Sequence, residues 1–380
     1  MAASAGIEIY IQNRMFGMEP ERAMSKNLRS ADQLKKILRS LGFLVPDTKK
    51  ETIFGLQGKH EFIDNLINYK KLRKLYDAYI IPTFDLVDSD GRIRPSFGIV
   101  KTGRTNCRNP NLQQLPNFNK QFPELNYRAI FISSNDSKLV GGDYLGQELR
   151  CLGVVSGDET IIKSFIDGFD LHLVTANGLF NLSLDSESLR DGTEQHNKAI
   201  KQYKQERYRA KNGVNFPIVY GSSEYGISHH MGVSVEEAKE WRRKFFELYP
   251  RVKEAMNETK KELEENLEVS TMMGRKRRFP NYRILPNYSK GKTPSKSRCV
   301  RQAFNSKIQG FSADQVKIAA ALSRKAGLKI LLIVHDEIVI ESSEPSRDAR
   351  VLKQCMENAV QLSIPFVADI KIGNCYSELK

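Results

Sequence analysis

The chain has 380 residues, with 59 Lys and Arg against 45 Asp and Glu, a formal charge of +14. Its 40% hydrophobic and 27% charged content is that of a globular protein of two or three domains. The longest purely apolar run, Ile330–Val334, falls far short of the ~18 residues of a membrane span, which excludes a helical membrane protein. No basic start followed by an apolar stretch marks a secretory signal. Five cysteines, odd in number and without a CxxC, point to free thiols in a reducing compartment rather than a disulfide framework or zinc cluster. The positive excess suits a polyanionic partner such as nucleic acid, although an unpartnered basic surface has the same composition.

In chain order, the first 80 residues read as polar helices. Leu34, Ile37, Leu38 and Leu41 share one face; Phe62, Leu66, Tyr69 and Leu72 share another, on a helix that also carries Lys70, Lys71, Arg73 and Lys74. Asp88–Gly91 marks a turn in a hairpin over roughly 84–100. Lys138–Tyr144 reads as a strand ending in an acidic residue, and 147–266 as mostly helical. Ser234-Val-Glu-Glu237 has the form of a capping box, and Tyr249-Pro250 breaks the helix after it. A polar, basic loop over 286–298 leads into a helix to about 325. Two apolar strands joined by His335-Asp336-Glu337 follow. A strand-rich centre interrupted by a large helical insertion is an α+β arrangement.

Two aspartates, Asp143 and Asp336, end apolar strands far apart in sequence. Each is either an ordinary turn former or one of a pair holding hard divalent ions, because a buried carboxylate needs a partner charge. Arg207 and Lys211 lie four apart, as do Phe216 and Tyr220 just before Gly221. That stripe suits a polyphosphate with an aromatic neighbour, or a solvated basic face beside a core pair. Arg301, Asn305 and Gln309 step along one helix face, either towards nucleic-acid edges or towards solvent.

Taken in order, these pieces resemble DNA polymerase I-type (family A) polymerases from about residue 27 to the C-terminus. The stretches that carry the resemblance are Thr102-Gly-Arg104 with Pro110-Asn-Leu-Gln113, and Asp143-Tyr-Leu-Gly-Gln-Glu-Leu-Arg150. Arg207…Lys211…Phe216…Tyr220-Gly221, Gly274-Arg-Lys-Arg-Arg-Phe-Pro280, Arg301…Asn305…Gln309-Gly310 and Val334-His-Asp-Glu337 complete the set.

The resemblance implies an α+β right hand with an antiparallel-sheet palm. Thumb and start of palm would span 1–82, the first part of the palm 83–152, helical fingers 153–298 and the rest of the palm 299–380. It further implies two Mg²⁺ ions, with Mn²⁺ as a substitute, on Asp143, Asp336 and the Tyr144 carbonyl, and Lys211 as proton donor to pyrophosphate. Arg207, Lys211, His172, Phe216, Tyr220, Gln147 and Glu148 would meet the dNTP, Glu148 excluding a ribose 2′-hydroxyl. Arg104, Gln113, Arg301, Asn305, Gln309, His335 and Glu337 would meet primer-template DNA, and Lys70, Lys71 and Lys74 duplex phosphates. With fewer than about 30 residues ahead of the thumb-like helices, no proofreading domain is expected on this chain.

One departure from the pattern is structural. Lys211 and Phe216 are five apart where four is usual, and Pro217 cannot donate to the carbonyl of Gly213. A bulge or kink in this helix would keep both side chains on one face; a regular helix would put Asn215 there instead. The main expectation is a DNA-templated DNA polymerase. A related single-subunit RNA polymerase and a non-catalytic nucleic-acid-binding module are the alternatives.

Overall fold

Leucines at helical spacing need an apolar partner face, and the N-terminal helices supply one to each other. Helix α1 (Ala31–Ser40) starts at Ser30, whose side chain accepts from the Gln33 N–H, and buries Leu34 and Leu38. They pack with Ile53 of α2 (Lys50–Phe54) and with Phe62, Ile63, Leu66, Ile67 and Tyr69 of α3 (Glu61–Leu75). Leu72, expected on this face, is only half-buried; the buried stripe runs through Ile63 and Ile67 instead. A π-helical turn, Tyr76–Ile80, continues α3 into α4 (Ile81–Asp85). The structure, a computed structural model, describes residues 27–116, 125–289 and 293–379. Two units divide at Ser96/Phe97.

The expected hairpin over 84–100 is displaced. Asp88–Gly91 does turn, but the turn closes on a single bridge, Val87 to Ile93, and Arg94 is ion-paired to Asp88 and Asp90. Pro95 then interrupts the ladder, since it has no N–H to donate. The two-stranded sheet forms further on, from β1 (Ser96–Ile99) and β2 (Thr105–Arg108).

In the second unit, β3 (Lys138–Tyr144) leads into a helical run. It comprises α5 (Gln147–Ser156), α6 (Glu159–Ile166), α7 (Leu171–Phe180), α8 (Ser186–Leu189), α9 (Glu194–Gln202) and α10 (Lys204–Arg209). After a second π-helical turn, Ala210–Asn215, come α11 (Phe216–Val219), α12 (Glu224–Met231), α13 (Val235–Leu248) and α14 (Pro250–Asn266). Ser234 caps α13 by accepting from Glu237 N–H at 3.0 Å, and Pro250 opens α14, where its missing donor costs nothing. Strands β4 (Glu268–Ser270) and β5 (Lys276–Arg278) pair, and the loop read over 286–298 is described outside 290–292. The chain ends with α15 (Lys296–Lys325), β6 (Lys329–Val334), β7 (Glu337–Ser342), α16 (Pro345–Glu357) and β8 (Ala368–Gly373).

Strands β6, β7, β3 and β8, in that order, form an antiparallel sheet. Its apolar residues Val140, Ile338 and Ile340 join one core with Leu152 of α5, Trp241 and Phe245 of α13, and Phe304 and Phe311 of α15. Helix α16 lies close on β3 because Gly142 has no side chain; a Cβ there would meet the Met356 sulfur at 2.5 Å. In register, β3 sets Asp143 opposite Glu337, the residue after Asp336. The sheet therefore brings the two strand-end aspartates to one end of its central strands.

Candidate active site

A hairpin that turns on two residues without glycine is strained, and His335 carries that strain with a φ of 57°. The turn presents half-buried Asp336 beside the end of β3, where the Tyr144 N–H donates to the Asp336 carbonyl at 3.4 Å. Burial first, and then the charge of Asp143, push the Asp336 carboxyl up to about 6. Two like charges thus share one corner, where the Arg104 guanidinium offsets part of their repulsion. Glu337 faces the same side as Asp143 but is buried, and its carboxylate accepts from the Tyr376 hydroxyl at 2.8 Å.

Glu148, in the first turn of α5, is held from three sides. Arg104 forms an ion pair with it, the Tyr220 hydroxyl donates at 2.6 Å and Gln309 Nε2 lies at 3.5 Å. Arg104 and Glu148 both act on the charge of Asp336, so this cluster adjoins the aspartate pair. Burial, and then the bond to Glu148, raise the Tyr220 phenol to about 12, which keeps its proton available for that bond at neutral pH.

The extra residue between Lys211 and Phe216 is absorbed by the π-helical turn Ala210–Asn215. Lys211 Nζ consequently lies 5.8 Å from the Phe216 ring centroid, and the Phe216 and Tyr220 rings stack at 6.5 Å. Asn215 is buried, at 1% exposure, and does not share that face. The His172 ring lies 5.5 Å from the Phe216 ring, tilted against it. Gly221 follows Tyr220 with a φ of +73°, and its bare Cα lets the stem of exposed Arg301 pass within what would be 2.7 Å of a Cβ. Arg301 of the α15 stripe thereby abuts this turn, while Gln309 reaches Glu148; half-buried Asn305 lies between them along α15.

Asp170 organises the basic side. It caps α7 by accepting from the backbone N–H groups of His172 and Leu173 and accepts from Arg207 Nε at 2.6 Å. The ring of His196, itself buried, lies at 3.4 Å. Burial alone would raise the Asp170 carboxyl, but the Arg207 guanidinium outweighs it and holds the group below its ordinary value. Burial, then the positive charges of Lys211 and Arg207, lower His172 to about 4 despite Asp170, so the ring is neutral at neutral pH.

Several expected contacts point elsewhere. Gln147, expected at the nucleotide, is 1% exposed; its amide bonds Gln315 at 2.9 Å and the Ser312 carbonyl at 3.3 Å on α15. Gln113, expected at the template, is buried and staples Thr105 to the Ile333 carbonyl, both at 2.8 Å. In the N-terminal unit, Lys70 donates to the Thr48 carbonyl at 2.9 Å and Lys71 lies over the Phe54 ring; Lys74 is exposed. Long amides and lysines satisfy backbone carbonyls as readily as phosphates, and motif reading does not separate the two uses. Asp170 went unassigned in the sequence, although an Asp immediately before an apolar helix carries a capping signal.

The model of DNA polymerase family A matches residues 11–378. The chain is 32% identical over 374 residues to DNA polymerase I of Streptococcus pneumoniae, covering 93% of this chain and 40% of that protein. It is 30% identical over 375 residues to the thermostable DNA polymerase I of Thermus filiformis, covering 93% of this chain and 42% of the relative. This chain therefore spans about 40% of the length of those relatives. Among solved structures, the POL domain of Pol1 from M. smegmatis, complexed with DNA primer-template and dNTP, superposes with a TM-score of 0.79. It is 25% identical, and the match covers 99% of this chain and 65% of that one.

Proposed function

The chain belongs to DNA polymerase family A, and from that premise we propose that it extends a primer 3′-hydroxyl with deoxynucleotides on a DNA template, releasing pyrophosphate. The observation that supports this most is the continuity of the site. The aspartate pair adjoins Glu148, which bonds Tyr220, which stacks on Phe216 beside Lys211 and His172. A surface that only held DNA would gain nothing from two carboxylates placed near phosphates.

The donor set fits a shared divalent ion. Asp143 and Asp336 offer hard oxygens, and their mutual repulsion is the kind a cation between them relieves. Family A polymerases are generally dependent on divalent metals. We assign Mg²⁺ to Asp143 and Asp336 with the Tyr144 carbonyl as a further ligand, and Mn²⁺ as its substitute. Bound there, the ions would lower the pKa of the primer hydroxyl and neutralise charge developing on the phosphates.

The chain's own residues do the rest. Lys211 is placed to neutralise the triphosphate and pass a proton to the leaving pyrophosphate. Arg207 joins it by exchanging part of its bond to Asp170 for a phosphate oxygen. Phe216 packs on the incoming sugar and Tyr220 beside the template base. Glu148, gripped by Arg104, Tyr220 and Gln309, cannot swing aside and so excludes a 2′-hydroxyl. Arg301, Asn305, Gln309 and His335 meet the primer-template. In this reading the thumb runs to about residue 82, the fingers are 153–298, and 83–152 with 299–380 form the palm.

Primer extension on a primed DNA template with Mg²⁺ tests the proposal. Extension with dNTPs and not rNTPs is expected. Extension with both would remove the role given to Glu148, and tight primer-template binding with no extension would support the binding-module reading.

A further inference from the structure

We propose that Asn215 is a positioning residue, whose amide fixes the His172 imidazole in the tautomer with its proton on Nε2, so that the ring donates to the phosphates of an incoming nucleotide. The proposal rests on the nucleotide site read above and adds a residue that does not touch the nucleotide. Asn215 closes the π-helical turn, where the five-residue spacing hands the outer face to Phe216 and turns Asn215 inward towards α7. There its Nδ2 lies 3.0 Å from His172 Nδ1. With Nδ2 turned to the ring the amide donates, so in this orientation Nδ1 accepts and carries no proton. A neutral imidazole then has its single proton on Nε2, the nitrogen left for a ligand.

One feature agrees with this assignment, and one is a cost to it. Burial first, and then Lys211 and Arg207, disfavour the imidazolium against the pull of Asp170, so the ring stays neutral and its tautomer matters. Asn215 Oδ1 is buried with no hydrogen-bond partner. A buried acceptor left unsatisfied is a cost, tolerated here on a side chain whose other amide atom has a defined task. With the proton on Nδ1 instead, Nε2 would present a lone pair to an anionic oxygen and repel it.

Nitrogen-15 NMR of the ring nitrogens, with the signal assigned by its loss in His172→Gln, reads the tautomer directly in the full chain. The Nε2–H form is expected in the parent, and a mixture in Asn215→Leu and Asn215→Ser. Steady-state extension should show the dNTP KM rising about tenfold in Asn215→Leu with kcat nearly unchanged, the loss of one hydrogen bond made through a partner. In a His172→Gln background the same substitution should add nothing. An Nδ1–H parent, or an equal loss from Asn215→Leu in both backgrounds, overturns the proposal. The NMR readout is independent of activity: a chain with the Nε2–H tautomer that extends no primer would retain the pairing and overturn the polymerase reading.

Discussion

In the proposed reading, Glu148, a single buried carboxylate with three partners, selects the sugar of the incoming nucleotide. Glu148→Ala removes the group that would meet a 2′-hydroxyl, and discrimination between dNTP and rNTP in kcat/KM is expected to fall by at least about tenfold. Glu148→Gln keeps the volume and should retain most of it. Equal discrimination in the alanine variant and the parent would show that another residue guards the 2′ position. Lys211→Ala, by contrast, is expected to lower kcat/KM for dNTPs about 100-fold while leaving primer-template affinity intact. A parallel loss of DNA affinity would move Lys211 from the triphosphate to the template. At this scale the sequence was informative wherever a charge stood against its surroundings: Asp143 and Asp336 end apolar strands, where only a partner or a cation justifies them. It was uninformative for Gln113 and Gln147, because a neutral amide serves a buried carbonyl as well as a base edge, and nothing local distinguishes the two.

Among the elements, the hairpin of β6 and β7 carries the turn with Asp336, and its far end is tied by an ion pair. Lys329 and Glu341 are register partners. Burial would raise the Glu341 carboxyl, but the bonds from Lys329 and the Ser134 N–H override it and hold it at about 2. A depressed folded-state value contributes stability that is fully present above the unfolded value of about 4.3 and is lost as pH falls towards 2. Urea unfolding should therefore show a parent losing stability between about pH 5 and pH 2 more steeply than Glu341→Gln; identical slopes would contradict the assignment. The contact of α16 with β3 gives a second check. Gly142→Val forces a side chain against Met356 and Ile370 and should cost about 1–3 kcal/mol in unfolding measurements. An unchanged midpoint would mean that the helix is free to retreat. The bulge was legible as one of two alternatives, from the extra residue against the family pattern and the missing donor of Pro217; the π-helical turn Ala210–Asn215 decides between them. Strand β8 was not read, although Ala368–Gly373 alternates apolar with charged side chains; the run is only six residues, and its pairing with β3 makes it plain.

At the level of the whole molecule, the charge of +14 predicts how DNA binding responds to salt. Primer-template affinity should fall with a log–log slope of about −4 or steeper, the signature of several phosphate contacts releasing counterions. A slope near zero would leave the charge as an unpartnered basic surface. A strand-rich centre interrupted by a long helical insertion made the α+β class legible in the sequence, whereas the closing of those strands on one antiparallel sheet was an implication of the family resemblance. The most direct test of the central claim is single-turnover primer extension by Asp336→Asn, with primer-template affinity measured alongside. Extension is expected to fall by at least about 1,000-fold while DNA affinity stays within a few-fold of the parent. Extension at the parental rate would contradict the claim and remove Asp336, and with it the paired-carboxylate centre, from the chemistry.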